Sequence, residues 1–115
     1  MRVGIIASRI RVEEKLLLAA FEARGIQPTV ILDDELTLSI DAQSAPLPYD
    51  VILERSVSAS RGLYTLRLLE MMGNTVINRW QTAHTCADKL LTTIALKEAG
   101  VPQPEVEVAF TSDSA

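Results

Sequence analysis

Three short runs, VGIIA at residues 3–7, TVIL at 29–32 and VILE at 51–54, are apolar nearly end to end. A strand with one wet face alternates apolar and polar side chains, whereas a strand covered on both faces does not. The chain must therefore supply cover for both faces of its sheet, and the intervening segments are long enough to do so. Residues 12–24 read as a helix with Leu16, Leu17, Ala20 and Phe21 on one face and Glu14, Lys15 and Glu22 elsewhere, stopped by Gly25. Residues 61–72 read as a second helix capped by Ser60, with Thr65, Leu68, Leu69 and Met72 at i, i+3, i+4, i+7, stopped by Gly73. A fourth short strand falls at 75–77 and a short helix at 82–86. A longer helix at 88–99 carries Leu90, Leu91, Ile94 and Ala95 inward and ends at Gly100, and Pro102 and Pro104 prevent its continuation. Residues 33–48 are mixed, with a short strand at 36–40, and residues 106–110 read as a last apolar strand. Strands alternating with helices predict an α/β fold: a mostly parallel, Rossmann-like sheet with helices on both faces and right-handed crossovers.

Composition narrows the function classes. The 115 residues suffice for one core, and 48% hydrophobic with 23% charged residues reads as soluble and globular. A net charge of −4 gives no basic stripe for nucleic acid. Cys86 is the only cysteine, so no intrachain disulfide can form and a reducing compartment fits. No apolar run is long enough to span a membrane, and the N-terminus reads as a strand rather than a leader. These features predict a cytoplasmic protein. Residues 111–115 look like the start of a further helix, which predicts a piece of something longer.

In open α/β sheets, ligands bind beyond the carboxyl ends of the strands. Arginine follows three of them: Arg9 after Ser8, Arg55 before Ser56, and Arg79 after Asn78. Guanidinium groups suit carboxylate or phosphate. The alternative is that these arginines are solvated or pair with Glu13, Glu54 or Asp88. The dinucleotide reading fails because no glycine follows the first strand. Asp33-Asp34-Glu35 reads as a polar turn, and no phosphate-cradling loop is present. His84 and Cys86 are single residues of their type, two apart, so they form neither a zinc set nor a facing pair. Cys86 reads as a small buried residue and His84 as a surface or boundary one. Lys89 follows Asp88 at the head of a helix. By spacing alone it is a flank lysine; the functional reading is a phosphate-binding cation beside the helix N-terminus.

Several segments together resemble the N-terminal part of the RimK-like ATP-grasp ligases, in particular the LysX and ArgX branch. They are Arg9-Ile10-Arg11 with Glu13 and Glu14, Leu53-Glu54-Arg55-Ser56-Val57-Ser58, Ser60-Arg61-Gly62 and Val76-Ile77-Asn78-Arg79. The last is Cys86-Ala87-Asp88-Lys89 running to Leu96 and then Ala99-Gly100-Val101-Pro102-Gln103-Pro104. The Asp-Lys helix with Gly-Val-Pro-x-Pro is widespread among ATP-grasp enzymes, and the Arg-Ser-Val-Ser and Ser-Arg-Gly segments point to this branch. The resemblance implies a pre-ATP-grasp α/β domain over residues 1–80 and the opening of the central ATP-grasp domain over 81–115. It implies ATP as cofactor, with Lys89 as its first binding lysine, and Mg²⁺ held by ligands beyond residue 115. It implies a C–N ligase that joins α-aminoadipate to the acidic carrier protein LysW through an acyl phosphate, with no activity in this part alone. The alternative is an ArgX or RimK-type glutamate ligase. Substrate contacts are expected from Arg9, Arg55 and Arg79 toward the carrier or the amino acid, and a homo-oligomer for the full-length form. A different class, a stand-alone anion-binding module of receiver type, would want acids after the first strand, where this chain has Ser8 and Arg9.

Overall fold

The computed structural model describes residues 1–41 and 44–111. Its elements run β1 (Val3–Ala7), α1 (Val12–Glu22), β2 (Thr29–Leu32), β3 (Val51–Arg55), α2 (Ala59–Met71), β4 (Val76–Ile77), α3 (Trp80–Ala87) and α4 (Lys89–Glu98). The four strands form one parallel sheet in the order β2-β1-β3-β4. The apolar runs thus lie where both faces are covered, and all five β1 residues are buried.

Register assigns the faces, because partnered residues in parallel strands point the same way. Gly4 pairs with Ile52 and Ile52 with Val76, so these share a face with Ile6. That face packs under α2, where Ile6, Ile52, Leu66, Leu69 and Val76 form the main buried cluster. Tyr49 lies against it and comes within 3.1 Å of where a Cβ on Gly4 would be. Val3, Ile5, Ala7 and Arg55 point to the opposite face, where Arg55 meets Glu14 of α1. Helices therefore flank both faces. The order reverses between β1 and β3, which makes the carboxyl ends of those two strands the topological switch point.

The chain divides into two compact units, Met1–His84 and Thr85–Ala115. In the second, Asp88 caps α4 by accepting from Leu91 N at 3.0 Å, and Gln103 Nε2 donates to Thr93 O at 2.9 Å.

Several elements differ from expectation. In α1 the buried position is Glu14, while Leu16 is 67% exposed and Ala20 faces solvent. Leu17, Leu18 and Phe21, at i+3, i+4 and i+7 from Glu14, are half-buried on the same side of the helix. Helix α2 starts earlier than expected because Ser58, not Ser60, caps it, and Leu66 rather than Leu68 enters the core. Residues 36–40 form no strand. Leu36 and Leu38 pack singly against the core cluster, which buries them without a ladder partner. Residues 106–110 likewise form no strand among the described residues, and Phe110 is 93% exposed. Apolar composition makes a strand only where a neighbour accepts its hydrogen bonds. For the same want of cover, Leu90, Leu91 and Ile94 of α4 stay 45%, 38% and 44% exposed instead of turning inward. Cys86 is exposed, against expectation.

Leu69, fully buried between α2 and the sheet, is the keystone of the larger core. Leu69→Ala is expected to lower unfolding free energy by about 2–5 kcal/mol, read from the midpoint of a urea titration at unchanged slope.

Candidate functional site at the strand ends

Three strands deliver their carboxyl ends to one edge, and polar side chains bind those ends together. Ser8, the first residue after β1, donates its hydroxyl to Asp33 Oδ2 at 2.5 Å. The Ser8 Oγ in turn accepts from Val57 N at 2.9 Å. One serine thus joins the exits of β1, β2 and β3. Asp33 is also anchored through its backbone N–H to Ala7 O and through Oδ1 to Arg61 Nη1 at 3.1 Å. Its carboxyl is held below the usual range, first by the Ser8 hydroxyl and then, against the opposing effect of burial, by Ser56 and Arg61. The buried Ser56 hydroxyl helps without closing a hydrogen bond of standard geometry.

Glu14 is the second buried acid. Its side chain is 1% exposed and receives Arg11 Nη2 at 2.7 Å, Arg11 Nε at 2.8 Å and Arg55 Nε at 3.1 Å. The backbone N–H of Arg11 donates to it as well, closing a capping box on α1. Hydrogen bonding from Arg11 is the main reason its pKa falls to about 2, with desolvation opposing. A third acid, Glu54, accepts from Ser56 N at 2.7 Å. Gly62 permits that arrangement, since a Cβ there would lie 2.7 Å from Glu54 Oε2.

The expected arginines fall in different places. Arg55 is committed to Glu14, not to Glu13, Glu54 or Asp88. Arg9 is exposed at the same edge. Arg79 is not brought to it; with Arg67 and Trp80 it lines an open cleft of about 520 Å³ beside β4. There the Arg67 guanidinium lies 5.2 Å from the Trp80 ring centre, and His84 stacks on the same ring at 5.0 Å. Lys89 belongs to the second unit, as the first residue of α4, exposed beside its capping Asp88. Glu14 and Asp33 were missed as organising acids. The Arg11-x-x-Glu14 spacing was the available signal for the first, obscured because arginine is an unusual N-cap.

Around the strand ends, Arg11, Arg55 and Arg61 face Glu14 and Asp33. With the exposed Arg9, and with Glu54 and Glu13 beside them, four cations stand against four anions. Among the described residues no group of three His, Cys, Asp or Glu could hold a metal, and no helix is long and apolar enough to cross a membrane.

The family description "LysX preATP-grasp domain" matches residues 3–85. The chain belongs to the LysX preATP-grasp domain family. Its relatives include the glutamate–LysW ligase ArgX of Sulfolobus acidocaldarius, 35% identical across 100% of this chain and 40% of that protein. The α-aminoadipate–LysW ligase LysX of Saccharolobus solfataricus is 31% identical across 91% of this chain and 38% of that protein. Among solved structures, a RimK domain ATP-grasp protein from Sphaerobacter thermophilus superposes with a TM-score of 0.76 at 35% identity, covering 99% of this chain and 44% of that one. The chain thus spans about 40% of the length of the curated relatives it matches. The LysX preATP-grasp assignment agrees with the parallel sheet and its flanking helices.

Glu14 makes the fold acid-sensitive. Its folded pKa, about 2, lies below the value near 4.5 of a free glutamate, so the unfolded chain binds more protons between them. Its stabilising contribution is complete above pH 4.5 and disappears as pH falls through 2. Glu14→Gln is expected to lower the Tm at pH 7 by several degrees and to flatten the acid limb of a Tm-against-pH curve between these values.

Proposed function

We propose that this chain is the N-terminal portion of an ATP-dependent ligase that joins glutamate to the amino-group carrier LysW. The observation that carries the reading is the match to ArgX over the whole of the chain. In this reading residues 1–80 form the preATP-grasp domain and 81–115 open the central ATP-grasp domain. Identity to ArgX of 35% against 31% to LysX favours glutamate over α-aminoadipate, the reverse of the preference stated from sequence.

When bound, ATP with Mg²⁺ supplies the phosphoryl group that activates the carrier's terminal carboxylate for attack by the amino group of the amino acid. Lys89 fits one part of that task. Its ammonium and the free N–H groups at the start of α4 attract the same phosphate charge. No residue of this chain is assigned to Mg²⁺. Arg9 and Arg79, neither tied to a carboxylate among the described residues, are available to steer and orient the carrier or the amino-acid carboxylate. Arg55 acts at the same edge with one side of its guanidinium already on Glu14.

The test is turnover by the full-length ligase with LysW, ATP and Mg²⁺, following ADP release. Glutamate is expected to give a kcat/KM about tenfold or more above α-aminoadipate, the selectivity that a single methylene allows. The opposite ranking assigns the LysX activity, and turnover with neither sinks the reading. In the same assay Lys89→Ala is expected to raise the KM for ATP by roughly tenfold, as loss of a charge-assisted hydrogen bond predicts. An unchanged value would remove Lys89 from the site. Unchanged KM for both carrier and amino acid in Arg9→Ala, Arg55→Ala and Arg79→Ala would remove those arginines.

A further inference from the structure

Two guanidinium groups without a carboxylate partner meet in the cleft of about 520 Å³ beside β4. Arg67 comes from α2 and Arg79 from the residue before α3. Neither has an ion pair among the described residues, whereas Arg2, Arg11, Arg55 and Arg61 each have one. The cleft lies within the first compact unit, and its volume is that of a small-molecule site.

The freedom of Arg67 has a structural cause. Glu70 stands one turn along α2, at the i+3 spacing that often gives an ion pair. Its Oε1 instead accepts from Trp80 N at 2.9 Å. Arg67 rests on the Trp80 ring, 5.2 Å from its centre. A guanidinium set over a ring offers its flat face, so its N–H groups, which lie in its plane, stay available to an oxygen acceptor.

The floor of the cleft is fixed. Asn74, 8% exposed, accepts from Leu47 N at 3.0 Å and donates to Leu47 O at 2.9 Å. Its backbone N–H donates to Leu69 O at 2.9 Å. The turn from α2 into β4 is therefore set before any ligand arrives, and Thr75 follows it with a hydroxyl. Glu70 is the one acid among the described lining residues, so two cations stand against one anion. That charge suits a ligand with more than one negative oxygen.

We propose that this cleft binds a small organic dianion, with Arg67 and Arg79 each donating to its oxygens. Two carboxylates on a short chain and a single phosphate monoester both present that chemistry. Such binding needs neither ATP nor the carrier, so it stands or falls separately from the ligase activity.

Calorimetric titration of the 115-residue chain at constant ionic strength tests this, with glutarate and methyl phosphate as dianions and acetate as the monoanion. Trp80, the only tryptophan, reports the place of binding through its emission. At least one dianion is expected to bind about tenfold or more tighter than acetate and to change Trp80 emission over the same concentrations. The tighter of the two identifies the carboxylate or the phosphate form. Arg67→Gln and Arg79→Gln are each expected to raise the Kd roughly tenfold, the loss of a charge-assisted hydrogen bond. Circular dichroism melts check folding, since Arg67 also covers Trp80. Arg79 is exposed and unpaired among the described residues, so Arg79→Gln decides the matter even if Arg67→Gln unfolds the chain. Binding of neither dianion, binding that leaves Trp80 emission unchanged, acetate binding as tightly as the dianions, or an unchanged Kd in Arg79→Gln would each overturn the proposal.

Discussion

The carboxylate of Glu14 constrains more of this molecule than any other group. A carboxylate with 1% exposure survives only if its oxygens are filled with charged donors, and here Arg11 and Arg55 fill them. Arg11 comes from the residue that caps α1, and Arg55 from the end of β3 on the far side of the switch point. The three residues fasten a helix to a strand, on the face of the sheet opposite the cluster under α2. They also fix the angular setting of α1. Once Glu14 points at the sheet, Val12 and Leu16 must point away. The polar tether and the exposed apolar line are one constraint seen from two sides.

Legibility in the sequence followed the physics of each element. The strands were visible because burial on both faces leaves an unbroken apolar run, and β1 and β2 fall where the runs fall. The glycine stops were equally visible: Gly25, Gly73 and Gly100 all have positive φ, which other residues seldom adopt. The face of α1 was read correctly at Leu17 and Phe21 and wrongly at Leu16 and Ala20, because a glutamate at the centre of the buried face does not register in a count of apolar residues. Residues 106–110 were misread as a strand because pairing is a property of two segments, and the sequence of one does not show the other. At the site, the recurrence of arginines after successive strands was legible. Their division into Arg55 bound to Glu14, Arg61 bound to Asp33 and an exposed Arg9 was not, since the acids are distant in sequence and meet them only through the register of the sheet.

Those commitments change how the electrostatics of the edge should be understood. Arginine at a strand end suggests a ligand, yet here the fold takes up much of the charge. Asp33 and Glu14 are both held ionised, so neither neutralises near pH 7 to release its partner. What remains open to a ligand is the spare donors of Arg55 and Arg61 and the exposed Arg9.

The segments that carry the family likeness turn out to be the ones that hold the strand ends together. Arg55 binds Glu14, Ser56 N–H satisfies Glu54, Val57 N–H bonds Ser8, and Ser58 caps α2. Arg61 binds Asp33, and Gly62 leaves room for Glu54. Each position is explained by scaffold chemistry, which glutamate and α-aminoadipate ligases need equally. Their substrates differ by one methylene, a difference worth about 1–3 kcal/mol in a fitted pocket and sensed only by the few side chains that line it. Motifs that build the switch point therefore identify the family firmly and the amino acid hardly at all. This is why they led to the LysX branch by one reading while the whole-chain comparison leans to ArgX. The discriminating contacts are to be sought among residues that the scaffold does not require.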